Sequence, residues 1–454
     1  MCGIYAIYYI NVNINFNCFL NSLAKLQNRG HDSFGYSYID NNNNNILVCS
    51  ENGLVKDYLE KHKKTQINSN LILGHLRYIT SGKNSTNNTY HHQPIISNCK
   101  FGDYSLVFNG NIPLDKYTSL NTNNIDIDTQ LIIEYLNTYS SQHNSWESLL
   151  IKFIQTFERA YCIIIMTQDK QLFILRDMYG VRPCIYNITN DYIEFSSESN
   201  VFSENINNKE VLPGELLTIK NNKIECVYRK IINNNALCLF EYIYFANEDS
   251  KWNNISIKNI RTQYGKQLAY QENNTSIKTN YKDYIVIGIP HTGINSAILY
   301  AQTLNIPYKQ YITKNTKINR TFILKNNIER DKVSKIKYIY NEKIKNKKII
   351  IIDDSIVRGI TIKNIIGALY EYGSKEVHVR ICSPEIRYTC MYGIDIPTKE
   401  ELLVNNFNNL NELAIFLKCD SINYLELEKI KQIMPNFKNL CSGCFNNDYK
   451  DLDW

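Results

Sequence analysis

Apolar and polar positions divide the first half of the chain into short segments of two periodicities. Alternating or continuous apolar runs predict strands, and apolar positions three or four apart predict helices. The predicted strands cover residues 4–10, 34–39, 70–73, 160–167 and 171–176, and the predicted helices cover residues 18–28, 129–140 and 146–157. Because both kinds of segment must bury an apolar face, we expect two sheets sandwiched by helices.

The second half alternates more regularly. Predicted strands at 284–289, 349–352 and 376–381 are separated by predicted helices at 295–304 and 361–372, which is typical of an α/β arrangement. Residues 349–352 are four consecutive isoleucines, as in a strand buried on both faces of a parallel sheet. From Glu400 onward the pattern favours helices that pack back on the core and bring Cys441 and Cys444 toward Cys238.

Composition limits the classes of protein. The 454 residues suggest two or three domains, and 44% hydrophobic residues suffice for sizeable cores. No apolar run approaches the roughly twenty residues that cross a bilayer, and a net charge of +6 without a recognisable module gives no reason to expect nucleic acid. Thirteen cysteines, an odd number, and no secretory signal predict a reduced, cytoplasmic setting.

The start of the chain contains a candidate nucleophile. Removal of Met1 would leave Cys2 with both a thiol and a free α-amino group. A thiol attacks as the thiolate, and an amine with a pKa near about 8 can accept its proton at neutral pH. For Cys2 in isolation the alternative is a cysteine without any role.

Three motifs strengthen the interpretation of Cys2 as a nucleophile. Arg77, at a predicted strand end, offers a planar fork for an α-carboxylate, and Asn109 with the backbone N–H of Gly110 could face one oxyanion. Asp128 could pair with an ammonium group or simply begin a helix. Together they describe a pocket for an amino acid with a side-chain amide, and glutamine fits.

A second constellation follows the isoleucine strand. Asp353 and Asp354 precede a short loop, Ser355 to Thr361, that leads into a predicted helix. Ligands bind at this end of parallel strands, and helix N-termini favour phosphate. The run therefore indicates a ribose phosphate site with the acids on the sugar hydroxyls, although the acid pair alone could be a solvated turn.

The first set of motifs, extended by Arg29-Gly30-His31-Asp32-Ser33, closely resembles the glutaminase domain of the N-terminal-nucleophile amidotransferases. By that resemblance Cys2 attacks the glutamine amide, Asn109 and Gly110 form the oxyanion hole, and glutamine is bound by Arg77, Asp128 and Arg29.

The run from 348 to 361 resembles the signature of type I phosphoribosyltransferases. The order of the two halves is similar to that of the glutamine phosphoribosylpyrophosphate amidotransferase family. This implies two domains. The first, at 2–235, is an α+β domain, an αββα N-terminal-nucleophile hydrolase sandwich. The second, at 236–454, is a type I phosphoribosyltransferase α/β domain with a C-terminal helical extension. The implied phosphoribosyl pyrophosphate ligands are Asp353, Asp354, Ser355, Val357, Arg358, Gly359, Thr361, Thr292 and Arg320.

The same resemblance implies the reaction and the partners. Glutamine and phosphoribosyl pyrophosphate would give 5-phosphoribosylamine, glutamate and pyrophosphate, the first step of purine synthesis. Magnesium is expected with the substrate at Asp353 and Asp354, and purine nucleotides are expected inhibitors of a homo-oligomer, a tetramer or a dimer. Ammonia would pass between the sites, and the aromatic segment 240–245 could line that passage or fill an interdomain core.

Cysteines near the end of the chain have a paired-ligand spacing. Alone, Cys441 and Cys444 could be a redox pair, half of a zinc site or chance. By the resemblance, Cys238 and Cys390 fall where iron-sulfur-bearing members place ligands. The four thiolates are therefore expected to hold a [4Fe-4S] cluster of structural importance, with unliganded thiols as the alternative.

Some positions depart from the family pattern. His291 stands where members usually have an acidic residue, and in the closing loop Thr316, Lys317 and Asn319 replace an arginine, a tyrosine and a glycine. These changes motivate an alternative, a glutaminase whose transferase half is weakened or regulatory. A degenerate binding subunit is a third hypothesis, opposed by the complete set of glutaminase residues.

Overall fold

The protein is described from a computed structural model. The described residues are 1–10, 15–62, 65–78, 92–117, 125, 127–202, 208–233, 235–272, 283–315, 337–394 and 398–449. Within these ranges no helix is long and apolar enough to cross a membrane.

Two antiparallel sheets form the first domain. In spatial order, the seven-stranded sheet contains Lys209–Glu210, Ile185–Ile188, Tyr192–Ser196, Gly3–Tyr9, Leu71–Arg77, Ser33–Ile39 and Ile46–Asn52. The six-stranded sheet contains Lys223–Arg229, Glu215–Lys220, Leu172–Arg176, Ala160–Thr167, Gly102–Asn111 and Ile95–Cys99. Helices Phe16–Ala24 and Val55–Lys61 pack with the first sheet, and helices Asp128–Tyr139 and Trp146–Thr156 pack with the second.

Side chains of successive residues enter different cores, which produces four layers. In Gly3–Tyr9, Ile4 lies in the core between the sheets and Tyr5 lies in the core under the outer helices. In Ala160–Thr167, Ile164 faces the other sheet, whereas Ile163 faces the helices. This is the period of two expected of strands buried on both faces. The predicted αββα sandwich is confirmed.

A parallel sheet organises the second domain, in the order Tyr284–Gly288, Lys348–Asp353, Glu376–Ile381 and Ser421–Tyr424. Its isoleucine strand is buried on both faces, as predicted: Ile350 and Ile352 enter one core, and Ile349 and Ile351 enter the other. The described residues of this domain form helices Ile257–Gln271, Ile294–Leu304, Ile360–Glu371, Leu410–Leu417, Leu427–Ile433 and Gly443–Asn446. Three short pairs complete it: Leu237–Cys238 with Leu440–Cys441, Lys251–Trp252 with Ile255–Ser256, and Ile312–Lys314 with Tyr338–Tyr340.

Two sequence predictions need correction. The helix predicted at 18–28 is Phe16–Ala24, and residues Gln27–Arg29 form a separate 3-10 turn. The segment after Glu400 is not purely helical, because Ser421–Tyr424 adds a strand to the parallel sheet. It does pack back as predicted, since Cys238 lies directly opposite Cys441 in a parallel pair.

The domain junction contains a π-helix, Glu241–Phe245. Phe240, Tyr242 and Ile243 are buried in the core that also contains side chains of both domains, whereas Tyr244 is 46% exposed. Most of the aromatic segment therefore fills the interdomain core. That the segment lines a passage for ammonia stays a prediction, and Tyr244 is exposed enough to contribute to such a lining.

Candidate active sites

Cys2 precedes a central strand of the first sheet. Ile4 of that strand exchanges two hydrogen bonds with Ser197, because Ile4 N donates to Ser197 Oγ at 3.1 Å and Ser197 N donates to Ile4 O at 3.0 Å. On the other side Gly3 lies opposite Leu76. Cys2 therefore begins at the same end of the sheet at which the neighbouring strand delivers Arg77.

Arg77 is half-buried beside the predicted nucleophile. Burial lowers the pKa of its guanidinium, and the nearby Cys2, Asp32 and Asp128 act in the opposite direction. Gly30 lies close against the Arg77 backbone, since a Cβ at Gly30 would lie only 2.6 Å from the Arg77 carbonyl carbon. The structure thus brings Cys2, Arg77 and Asp128 together, as the sequence predicted.

Asp128 is the first residue of helix Asp128–Tyr139 and accepts hydrogen bonds from Thr129 N at 2.9 Å and Ile112 N at 3.4 Å. Burial raises the pKa of the Asp128 carboxyl to about 7 despite these bonds, and the nearby Cys2 raises it further. An incoming ammonium group would offset that cost of ionisation. Asp128 therefore begins a helix, and binding of the substrate ammonium group stays a prediction.

Asn109 has the property expected of an oxyanion donor. It lies in strand Gly102–Asn111 and is buried, yet its Nδ2 has no acceptor among the residues that the structure describes. A buried N–H without a partner costs free energy, so its presence calls for a ligand or another explanation. Gly110 follows it in the same strand, next to the half-buried Asn111.

Arg29 makes contacts that differ from the prediction. Its guanidinium donates to Glu198 Oε1 at 2.7 Å and to Glu241 Oε1 at 2.6 Å, and its Nε donates to the backbone oxygen of Cys2 at 3.1 Å. All three side chains are fully buried. Because protein acceptors occupy its donors, the geometry favours a positioning role for Arg29 over direct contact with glutamine.

The amino terminus lies in a low-dielectric environment. Burial lowers the pKa of the Met1 amino group to about 6, and burial with the neighbouring Arg77 lowers the pKa of His75 to about 3. His75 is therefore neutral at working pH and completely buried. The Met1 amino group is therefore largely unprotonated at neutral pH.

The second site lies at the carboxyl ends of two neighbouring parallel strands. Burial, followed by the charge of Asp354, raises the pKa of Asp353 well above its usual range. Burial also raises the pKa of Asp354, although hydrogen bonds from Ser355 and Thr292 oppose this. Ser355 Oγ donates to Asp354 Oδ1 at 2.6 Å, and Thr292 Oγ1 donates to Asp354 Oδ2. The predicted acids and Thr292 thus form one cluster.

The loop after the acids leads into helix Ile360–Glu371, as predicted. Gly359 has φ +77°, and a Cβ there would lie 2.4 Å from Leu403 Cδ2. Val357 is half-buried and its carbonyl accepts from Leu403 N at 2.9 Å, while Thr361 is exposed. Arg358 is turned toward the surface, where its Nε donates to Glu401 Oε2 at 2.9 Å.

Not every predicted ligand can be placed. Arg320 and the closing-loop positions Thr316, Lys317 and Asn319 lie outside the described residues. His291 is exposed in the loop between strand Tyr284–Gly288 and helix Ile294–Leu304.

Sequence reasoning missed several residues at these sites. Lys337 lies near the acids: burial lowers the pKa of its ammonium group, and Asp353 and Asp354 oppose that shift. The cluster of lysines from residue 337 to 348 is a weak sequence signal for Lys337. Nothing near Glu198 or Glu241 in the sequence indicates that they would pair with Arg29.

The four predicted cluster ligands gather beside the junction. Cys238, Cys441 and Cys444 are buried and Cys390 is half-buried, and the other three thiols are among the causes that raise the pKa of Cys444, after burial. As they stand, no three His, Cys, Asp or Glu side chains in the described ranges are arranged to hold a metal ion. The structure therefore brings the thiols together without ligating geometry.

Comparison with known proteins identifies the family. The chain is 34% identical over 444 residues to the amidophosphoribosyltransferase of Pyrococcus horikoshii, covering 94% of this chain and 92% of that protein. The chain belongs to the amidophosphoribosyltransferase family. A second member, from Methanocaldococcus jannaschii, is 30% identical, with 99% of this chain and 97% of that protein covered.

Family models and solved structures agree with this membership in the amidophosphoribosyltransferase family. A glutamine amidotransferase domain matches residues 82–204, and a phosphoribosyl transferase domain matches residues 251–383. The B. subtilis glutamine phosphoribosylpyrophosphate amidotransferase, solved with ADP and GMP, superposes with a TM-score of 0.83 at 27% identity and covers 99% of this chain and 97% of that chain. The predicted fold class is confirmed in both halves.

Proposed function

We propose that the chain catalyses the reaction of its family with Cys2 as the nucleophile and the loop after Asp353 and Asp354 as the ribose phosphate site. The overall conversion is of phosphoribosyl pyrophosphate and glutamine to 5-phosphoribosylamine, glutamate and pyrophosphate, which is the first step of purine biosynthesis. The observation that supports the site best is the buried Asn109 Nδ2, which lacks an acceptor among the described residues.

In the first half-reaction, the Cys2 thiolate attacks the side-chain amide carbon of glutamine. Asn109 Nδ2 and the Gly110 N–H stabilise the oxyanion, and the α-amino group released by removal of Met1 accepts the thiol proton and gives it to the leaving ammonia. Arg77 and Asp128 hold the amino-acid end of the substrate. Water then hydrolyses the γ-glutamyl thioester to glutamate.

In the second half-reaction, neutral ammonia attacks C1 of phosphoribosyl pyrophosphate and pyrophosphate leaves. Asp353 and Asp354 bind the ribose hydroxyls, and the loop Ser355 to Thr361 at the start of helix Ile360–Glu371 surrounds the 5-phosphate. The oxygen donors of these two buried acids fit magnesium, which would neutralise pyrophosphate charge when bound with the substrate. Lys337 supplies positive charge on the same side.

The test separates the two sites. Cys2→Ala should abolish glutamine-dependent pyrophosphate release and leave ammonia-dependent release within about twofold of wild type, because the transferase site is intact. Cys18→Ala, an exposed cysteine on helix Phe16–Ala24, is the matched control. Loss of both activities in Cys2→Ala would contradict separate sites, and glutamine turnover without ammonia-dependent transfer would favour the alternative with a weakened transferase half.

The four gathered cysteines support an iron-sulfur cluster. Their donor set is soft. Cys238 and Cys441 lie in the junction pair Leu237–Cys238 with Leu440–Cys441, and Cys444 lies in the following helix Gly443–Asn446. Cys238, Cys390, Cys441 and Cys444 would hold the cluster in a structural role. Anaerobic purification with iron and sulfide analysis tests this, and a colourless protein that contains zinc would contradict it.

Regulation, assembly and location are proposed from the relatives and the cysteines. The B. subtilis enzyme was solved with ADP and GMP, which supports purine nucleotides as inhibitors here. A homo-oligomer, a tetramer or a dimer, is proposed from the same family, and sedimentation analysis would measure it. The thirteen cysteines, an odd number, support a reducing setting, and we propose a cytoplasmic location.

A further inference from the structure

A buried charge cluster joins the nucleophile segment to the domain junction. Arg29 lies at its centre and donates through Nε to the backbone oxygen of Cys2 and through its two terminal nitrogens to Glu198 and Glu241. Arg29 and Glu241 are fully buried, and Glu198 is 2% exposed. Such a cluster is held in one geometry, because leaving any member unpaired would bury an uncompensated charge.

Glu198 anchors the cluster on the junction side. Its Oε2 accepts from Asn247 N at 2.7 Å and from Ser250 Oγ at 3.0 Å, and its Oε1 also accepts from Asn28 Nδ2 at 2.8 Å. Asn28 Nδ2 in turn donates to Phe245 O at 3.0 Å. The turn that contains Arg29 is therefore fastened to both ends of the π-helix that begins at Glu241.

The same π-helix is held from the transferase side. Arg261 of helix Ile257–Gln271 donates to Tyr242 O at 3.0 Å and to Ala246 O at 2.7 Å. Its own carbonyl accepts from Ser296 Oγ at 2.7 Å, and Ser296 lies in helix Ile294–Leu304, directly after the loop that contains Thr292. A set of hydrogen bonds, part-buried at the Cys2 backbone and buried beyond it, thus runs from Cys2 to the helix that follows the Thr292 loop.

We propose that Glu241 is a positioning residue for the glutaminase reaction, acting across the domain junction through Arg29 to fix the backbone of Cys2. This inference rests on the proposed function, since it gives Cys2 the role of nucleophile. Glu241 does not touch the substrate. It determines where Arg29 places its Nε, and a shift of the Cys2 backbone by a fraction of an ångström misaligns the thiol relative to the amide and to Asn109.

The experiment compares two buried glutamates that each pair with a buried arginine. Glu241→Gln removes the charge that holds Arg29, whereas Glu272→Gln removes the partner of Arg380, an ion pair of 2.5 Å in the transferase domain. We expect Glu241→Gln to lower kcat for glutamine hydrolysis about 10–100-fold with less than about threefold change in KM. Ammonia-dependent transfer should stay within about twofold of wild type. Glu272→Gln should leave glutamine kcat unchanged.

A double-mutant cycle tests whether Glu241 acts through Arg29. If it does, the kcat losses of Glu241→Gln and Arg29→Lys will be far from multiplicative in the double variant, because both substitutions break the same pairing of Glu241 with Arg29. Multiplicative losses, or equal glutamine kcat in Glu241→Gln and Glu272→Gln, would overturn the inference. If Glu241→Gln loses ammonia-dependent transfer through misfolding, Glu241→Asp serves in its place, since it keeps the charge and withdraws it by one methylene.

Failure of the proposed function would look different. If wild-type protein does not hydrolyse glutamine, or if Cys2→Ala retains that activity, Cys2 is not the nucleophile. If the wild-type protein hydrolyses glutamine, Cys2→Ala does not, and Glu241→Gln has no effect on kcat, then Cys2 is the nucleophile and only the positioning role of Glu241 is wrong.

Discussion

Thr292 and Asp354 connect the loops that follow two neighbouring strands of the parallel sheet, with Thr292 Oγ1 donating a hydrogen bond to Asp354 Oδ2. The donor comes from the turn after Tyr284–Gly288, and the acceptor immediately follows Lys348–Asp353. One loop is proposed to meet the pyrophosphate and the other the ribose. This bond therefore fixes the separation of the two loops that are proposed to bind one ligand.

Thr292→Val should weaken binding of phosphoribosyl pyrophosphate. Loss of a hydrogen bond to a charged carboxylate is worth about 1.5–3 kcal/mol, so KM in the ammonia-dependent reaction should rise about 10–100-fold. Glutamine hydrolysis in the absence of the sugar substrate should not change. Thr303→Val is the control, because the Thr303 hydroxyl donates to Leu299 O within helix Ile294–Leu304. Equal KM values in the two variants would contradict the prediction.

Glutamine binding should depend on pH through Asp128. Because burial raises the pKa of this carboxyl to about 7, the carboxylate predominates only above that pH, and the partner for the substrate ammonium is lost as pH falls through it. Calorimetric titration of glutamine into Cys2→Ala should give a Kd that rises up to about tenfold per pH unit below 7, without interference from chemistry.

The Asp128→Asn variant tests whether the Asp128 carboxylate binds the ammonium group of glutamine. Its Kd for glutamine should be high and independent of pH between 5.5 and 8. A Kd in Cys2→Ala that stays constant over the same interval would show that Asp128 does not meet the ammonium group.

Asn109→Ala should remove an oxyanion donor. Since the donor acts on charge that develops in the transition state, kcat for glutamine should fall about 10²–10³-fold while KM changes little. Asn98→Ala, at an exposed position of strand Ile95–Cys99, is the matched control and should behave as wild type. A rise in KM with unchanged kcat would instead indicate that Asn109 binds the ground state.

Two glycines near the phosphate loop should respond oppositely to alanine. Gly359 has φ +77° with Leu403 against it, so Gly359→Ala should lower the free energy of unfolding by about 2 kcal/mol or more. Gly367 is inside helix Ile360–Glu371 with no atom within 4 Å of its missing Cβ, so Gly367→Ala should stabilise by about 0.5–1 kcal/mol. Scanning fluorimetry should show Tm shifts of opposite sign; a destabilised Gly367→Ala would refute the comparison.

The sequence predicted most of the fold because local patterns decided it. The isoleucine strand and the acids after it are contiguous, so periodicity and motif were sufficient there. The strand Ser421–Tyr424 was missed since four residues among helices carry too little pattern, and its partner His378 lies more than forty residues earlier.

Within the site, the residues predicted correctly to lie together belong to motifs of a few residues each. The family resemblance implied a glutamine-binding role for Arg29, whereas its partners in the structure are remote along the chain: Glu198 is 169 positions away and Glu241 is 212 positions away. Nothing in the neighbourhood of Arg29 along the chain reveals that its donors are already taken. Long-range pairing of buried charges is decided by the tertiary structure.

The parallel pair Leu237–Cys238 with Leu440–Cys441 also bears on how the protein matures. The thiol neighbourhood at the junction is complete only once Cys444 has left the ribosome, some two hundred residues after Cys238 has emerged. A metal centre held by all four cysteines could therefore be completed only after Cys444 has emerged.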